Sequence, residues 1–463
     1  MSGPAAVRLG TPTGRAVVAA ATLGSGLTLL DGTVVNVALV RIGEDLDASL
    51  AQLQWVTNGY LLSLASLILL GGSLGDRFGR RRVFVVGTVW FALASLACGL
   101  APTAETLIAA RVLQGVGGAL LTPGSLAMIQ GAFVAEDRPR AIGAWSGLGG
   151  IATAVGPFVG GVLIDHASWR WIFLVNLPLA ALTVVVALRA VPETRDPHAS
   201  GRLDLPGAAL ATLGLAGTTY ALIQWGDGLA LPAGALAVLA LVAFVVVERR
   251  RPDPMLEPGL FADRTFSAAN AMTLLVYAAL GAVMFFLVIQ LQTVGGYAAL
   301  AAGTATLPVT VCMLLLAARG GALGARIGPR IPMTVGPIVM AVGVLLLLAV
   351  GEDVDYVADV LPGLTVFGLG LALMVAPLTA TVLAAAPDEQ AGLASGVNNA
   401  VARAGSLLAV AALPVAVGLG GEQYADPVAL DAAYRSAMLA CAVLLVLGGL
   451  VSWFAVRPDV LEE

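Results

Sequence analysis

Apolar residues run through this chain in long blocks, broken by short punctuation of glycine, proline, arginine and carboxylates. A helix needs about twenty mostly apolar residues to cross a bilayer, and the blocks have that length. They predict fourteen spans, near 16–40, 52–72, 83–101, 106–131, 142–164, 171–189, 205–225, 229–247, 267–291, 299–318, 332–350, 358–384, 391–418 and 436–456. The first run follows Arg8 and Arg15, as a signal peptide would. It continues through Val34 to Val40, beyond any cleavage site, and is read as a retained span. Longer inner segments rich in charge and proline, around 190–204 and 248–266, bracket spans seven and eight. The expected organisation is therefore a six-span half over 1–190, a linker with two extra spans over 191–266, and a second six-span half over 267–463.

Composition turns the pattern into a membrane assignment. Of 463 residues, 59% are hydrophobic and 11% charged, against about 25% charged in an ordinary soluble domain. A soluble fold of this length could not hide so much apolar surface. All basic residues are arginine. With the N-terminus inside, nineteen arginines fall in inner segments and only Arg41, Arg170 and Arg435 in outer ones. That bias predicts both termini in the cytoplasm; the expected location is the bacterial inner membrane, crossed many times. No basic cluster is interleaved with aromatics, which removes support for nucleic-acid binding. Cys98, Cys312 and Cys441 are widely spaced in apolar runs, so neither a disulfide nor a metal site is expected. His166 and His198 fall in loops, away from any proton path through the spans.

The chain also repeats itself. Gly72-Ser73-Leu74-Gly75-Asp76-Arg77-Phe78-Gly79-Arg80-Arg81 matches Gly321-Ala322-Leu323-Gly324-Ala325-Arg326-Ile327-Gly328-Pro329-Arg330 at six of ten positions, at a constant offset of 249. Each copy follows the second span of its six-span block. Parallel halves related by an axis along the membrane normal are one known transporter plan, with substrate bound between them near the midplane. The second copy has Ala325 where the first has Asp76, so the halves differ in charge.

These motifs resemble those of the major facilitator superfamily, and specifically its fourteen-span drug:proton antiporters. The loop around Asp76-Arg77 and Gly79-Arg80 is similar to the superfamily's signature between spans two and three. Leu30-Asp31-Gly32-Thr33 with Asn36, Arg111 with Gln114 to Gly118, Gly156-Pro157 with Gly160-Gly161, and the stretch from Trp169 to Pro178 resemble further family motifs. The resemblance implies an all-α integral membrane fold of two six-helix halves plus two central helices. It also implies that Asp31 couples proton movement and that spans one and four bring Arg111 to it. Asp76, Arg77, Gly79, Arg80, Gly156, Pro157, Gly160 and Gly161 would then serve the conformational switch, span five packing across the interface against span ten.

Physical chemistry gives those residues content of their own. Asp31 is the one acid that the pattern places well inside a span, where a charge costs roughly 2.5–3.5 kcal/mol on insertion scales. Such a residue needs a partner or a function. Burial favours its protonated form and a nearby cation the ionised one, so proton binding there can follow alternating access. Protonation would free Arg111 for another acceptor, Gln114 or a backbone carbonyl. Substrate competing with the proton for Asp31 is the simplest route to antiport; a permanent salt bridge that only fixes packing is the plain alternative. Asp76 lies at the inner surface and suits the N-terminus of span thirteen near Ser395. Arg403 is a second intramembrane cation, and the sequence leaves open whether it faces the cavity or snorkels outward. Asn36, Gln54, Asn58, Tyr60, Gln114, Asn270, Gln290, Gln292 and Asn399 are the other candidates for the cavity wall.

The reading is of a monomeric secondary transporter that exports small amphipathic or hydrophobic compounds, drugs and antibiotics among them. It needs no cofactor, since the proton gradient drives it, and its partners are substrate, protons and lipid. Proton symport for nutrient uptake on the same fold is the alternative. A non-transporting receptor would be expected to carry a soluble domain, for which no loop or tail is long enough. A membrane enzyme lacks a nucleophile–base pair, and no phosphate-binding loop suggests ATP-driven pumping.

Overall fold

The computed structural model describes residues 7–195, 203–252, 254–387, 390–420 and 423–461, and the side chains at 135, 139, 146, 147 and 150–154 fall outside that description. His198 and Arg202 lie outside the described residues. Thirteen helical stretches among the described residues are long and apolar enough to cross a membrane. They are α1 (Pro12–Leu46), α2 (Leu50–Phe78), α3 (Arg80–Gly99), α4 (Ala104–Ala132), α6 (Trp171–Ala190), α7 (Leu205–Ile223) and α8 (Ala230–Arg250), then α9 (Arg264–Thr293), α10 (Ala299–Ile327), α11 (Arg330–Ala349), α12 (Tyr356–Ala384), α13 (Ala391–Ala416) and α14 (Pro427–Ala455). α5 (Arg138–His166) is a further helix of 29 residues, about 43 Å long at 1.5 Å per residue. The chain is a multi-pass membrane protein, and its helices follow the order that the apolar runs predict.

Helix ends are set by local chemistry that hydropathy does not register. Ser49 and Gln52 form a capping box at α2, and Thr103 with Thr106 does the same at α4. Asp263 accepts from the Phe266 N–H at 2.8 Å and starts α9. The two largest differences from expectation are α10, which continues to Ile327 rather than ending near 318, and α14, which begins at Pro427 rather than near 436. Asp426 caps its first turn by accepting from the Val428 N–H at 3.0 Å. Asp431 and Arg435 pair at 2.9 Å one turn apart, so Arg435 is helical rather than part of a loop. Both charges are polar punctuation to a hydropathy scan and a helix-stabilising pair to the backbone.

The helices pack in two matching sets. α1 packs on α4, α5 and α6, α2 on α4, and α3 on α4 and α6; adding eight to each number gives the packing of α9 to α14. The close crossings repeat as well. A Cβ at Gly71 would collide with the Ala119 carbonyl, and one at Gly320 with that of Ala372. Gly87 faces Gly117 and Leu120 across α3 and α4, as Gly336 faces Gly370 and Met374 across α11 and α12. Residue pairs 71/320 and 87/336 keep the 249 offset of the signature. Only glycine allows backbones this close, and in lipid such packing supplies much of the helix–helix attraction. The halves meet along α1–α9, α2–α13 and α5–α10. α7 and α8 form a hairpin whose α7 packs against both α2 and α13, and so touches both halves at one seam.

Candidate functional site

Inside the first six helices a polar cluster surrounds Asp31, which is 1% exposed, as is Arg111. Arg111 Nη1 donates to Asp31 Oδ2 at 2.5 Å and to Gln114 Oε1 at 2.6 Å. Its Nε donates to the Val56 carbonyl at 3.0 Å. Gln114 Nε2 donates to Asp31 Oδ1 at 2.8 Å and to Ser95 Oγ at 2.7 Å. Asn176 Nδ2 approaches Asp31 Oδ1 at 3.4 Å and Ser95 Oγ at 3.1 Å. The guanidinium stacks over Tyr60 at 4.4 Å, with the Phe173 ring at 5.7 Å. α1, α2, α3, α4 and α6 each contribute a group.

Ionised Asp31 has a cation and two amide donors, which is what a buried carboxylate requires. Protonated Asp31 would leave Arg111 with the Val56 carbonyl, Gln114 and the Tyr60 face. Arg111 thus has partners besides the carboxylate. Sequence reasoning found Asp31, Arg111 and Gln114 but not Ser95 or Asn176 as members of the cluster. Asn176, an amide in the apolar run Leu174-Val175-Asn176-Leu177, carried the same kind of signal as Asp31.

Above Arg111 lies a cavity of about 560 Å³ between the halves. Arg111, Tyr60, Asn36, Asn399 and Arg403 line it; Asp31 sits behind Arg111. Leu29, Leu280, Met284, Val309 and Met313 give it an apolar floor and walls. The lining runs from mid-helix to Thr379, Val382 and Leu383 of α12 and Ser395 of α13. That is the end of the bundle at which α1 begins and α14 finishes. The opposite end is held shut by bonds between halves. Gln54 Nε2 donates to the Val410 carbonyl at 2.7 Å and Gln292 Nε2 to that of Val37 at 3.1 Å. Tyr424 Oη donates to the Ala48 carbonyl at 2.8 Å.

The remaining sequence candidates fall elsewhere in this conformation. Gln54 and Gln292 belong to that closed end, and Gln114 to the Asp31 cluster. Gln290 donates to Asp431 Oδ1 at 2.7 Å. Asn270 accepts from Asn398 at 3.2 Å, joining α9 to α13. Asn58 is fully buried on α2, away from the cavity lining.

A scan against protein families matches the Major Facilitator Superfamily over residues 21–410. The chain belongs to this superfamily. It is 37% identical to a puromycin resistance protein of Streptomyces alboniger, over 97% of this chain and 92% of that one. It is 35% identical to a tetracenomycin C resistance and export protein of Streptomyces glaucescens, over 86% and 74% of the two chains. A crystal structure of a peptide transporter POT in complex with sulfate superposes with a TM-score of 0.70, covering 96% of this chain and 98% of that one at 14% identity. At that identity the last comparison speaks for the fold alone. The superfamily is one of transporters, which sets the chain apart from enzymes.

As a superfamily member, the chain carries its signature loop in a form the geometry explains. Gly79 has φ 108°, and its counterpart Gly328 has φ 80°, a region that L side chains rarely occupy. Asp76 pairs with Arg80 at 2.7 Å. Glu193, beyond α6, accepts from the backbone N–H groups of Arg81 and Arg82 at 3.0 and 3.2 Å. It therefore fills the N-terminus of α3, a role that no sequence pattern announced. On α5, Gly156 and Gly160 face Thr33 and Val34 of α1, while Gly161 faces Leu300 and Pro157 faces Gly303 of α10. Asp165 accepts from the N–H groups of Ala299 and Leu300 at 3.2 and 2.9 Å, capping α10 from across the interface.

Proposed function

We propose that the chain exports small amphipathic or hydrophobic compounds, antibiotics among them, in exchange for protons by alternating access. Arg111 carries the reading: one guanidinium both lines the cavity and holds the buried carboxylate. Substrate in the cavity meets Arg111 and not Asp31, so it would sense protonation through that side chain. With Asp31 ionised, Arg111 stays stacked on Tyr60 and the cavity is clear. With Asp31 protonated, Arg111 keeps the Val56 carbonyl, Gln114 and the Tyr60 face but loses its counter-charge, so its positive charge is presented to the cavity. Linkage requires the substrate-holding conformation to bind the proton less tightly, by the same factor as the reverse. Each charge moved draws about 2.3 kcal/mol per 100 mV of membrane potential.

In this proposal the chain works as a monomer in the bacterial inner membrane, with both termini and the open cavity end in the cytoplasm. The arginine bias supports that orientation. The halves are 1–190 and 267–463, with residues 191–266 supplying the extra pair. Asp76, Arg77, Gly79 and Arg80 with the α5 glycines form the switch. The relatives' names, which refer to puromycin and tetracenomycin C, support antibiotics as cargo. Everted vesicles carrying an imposed interior-acid gradient test the proposal with those two compounds. Export by antiport predicts that adding substrate dissipates the gradient. A gradient that substrate leaves untouched would refute proton coupling, and dissipation only when substrate starts inside the vesicles would instead indicate symport.

A further inference from the structure

Among the described residues, two guanidiniums line the cavity and no carboxylate does. Arg111 is neutralised before a ligand meets it, because Asp31 lies directly behind it. Arg403 is not. It is half-buried on α13, one turn from Asn399 and from Ser406, which share the cavity wall with it. Among the described residues no ion pair involves it. The helices packed against α13 hold no counter-charge within reach. α7 and α9 contain no acid. Asp76 of α2 is taken by Arg80 near the helix end, and Asp359 of α12 and Asp431 of α14 lie near the far, closed end. The cavity therefore carries about one uncompensated positive charge over a largely apolar surface.

A half-buried cation without a partner is poorly solvated, and a ligand that brings the missing charge is favoured twice. It regains the cation's lost solvation, and it makes a charge-assisted hydrogen bond. A lipophilic cation faces the opposite sign. Building on the exporter reading above, we propose that the cavity selects drug-sized compounds bearing one ionised acid, such as a carboxylate or acidic phenol, on an apolar body, with Arg403 as the anchor. Leu280, Met284, Val309 and Met313 receive the apolar part.

Pyrenebutyrate, its carboxamide and 4-pyrenylbutylammonium share one body and differ in charge, which makes them suitable probes for purified protein in equilibrium dialysis against empty micelles. Wild type is expected to bind the carboxylate about 10- to 100-fold more tightly than the ammonium, the range a charge-assisted hydrogen bond spans. Arg403→Gln should lose that preference while keeping its affinity for the carboxamide, and Arg403→Lys should keep part of it. Equal binding of the two ions, preference for the cation, no carboxylate binding above micelles, or an unchanged preference in Arg403→Gln would each overturn the proposal. The wild-type series decides the sign even if a variant folds poorly. Binding with this preference but no proton-driven movement of any probe in vesicles would support Arg403 as anchor and refute the exporter reading instead.

Discussion

Replacing Arg111 by glutamine isolates the energetics of the buried pair. In wild type, Asp31 has the guanidinium at 2.5 Å and amide donors from Gln114 at 2.8 Å and Asn176 at 3.4 Å. Arg111→Gln leaves only the two neutral donors around a carboxylate with 1% exposure. Removing one partner of a buried ion pair costs about 3–5 kcal/mol. Asp31→Asn should cost less, because Arg111 retains the Val56 carbonyl, Gln114 and the face of Tyr60. In the double variant no charge remains, and the loss reduces to hydrogen bonds worth about 1 kcal/mol each. The double variant should therefore be about 2–3 kcal/mol more stable than Arg111→Gln alone, on the same two figures. Unfolding of purified protein by titration with SDS, followed through tryptophan fluorescence, measures all four corners of the cycle. If the double variant is no more stable than Arg111→Gln, the cost does not arise from a stranded carboxylate and the electrostatic account of the cluster is wrong.

Other substitutions probe the frame that carries the site. Gly161→Val places a side chain against Leu300 across the α5–α10 seam. Overpacking of about 1–3 kcal/mol should shift the population toward the conformation open at that end, read as faster labelling of an engineered cysteine in the seam. Unchanged labelling would mean that the seam does not hold the closed end. Gly328→Ala, at φ 80° and with the Pro458 carbonyl in the path of a Cβ, should lower stability by about 1–3 kcal/mol, measurable in the same SDS titration, whereas Gly143→Ala on α5 has a helical φ and open space for a Cβ and should cost little. Glu193→Gln keeps an acceptor for Arg81 and Arg82 but removes its charge from the start of α3; a loss of about 0.3–1 kcal/mol is expected, shrinking with added salt.

Much of the architecture was legible because lipid imposes simple rules. Apolar length gave the helices, glycine and proline their limits, and the 249-residue offset the two halves. The offset persists in pairs such as Gly71 with Gly320 and Gly87 with Gly336, where backbone contact demands glycine in both copies. Less legible were features that depend on two distant segments. Glu193 is one charge in a linker until the fold brings it to α3, and Asp165 is a helix-end acid until it meets the N-terminus of α10. The early start of α14 was hidden because Asp431 and Arg435 count as polar to a scan although they stabilise one another. Amides divided for a similar reason. Asn36 and Asn399 line the cavity, while Gln54 and Gln290 satisfy partners on other helices. Composition cannot tell these uses apart, since every polar group in a span must find some partner.

Asp31 gives the account its most direct test. Proteoliposomes of wild type and Asp31→Asn can be compared in substrate counterflow, which needs no proton, and in uptake against a gradient driven by an imposed pH difference. The account predicts that Asp31→Asn retains counterflow within a few-fold and loses concentrative transport. Concentrative, pH-driven transport by Asp31→Asn would contradict it.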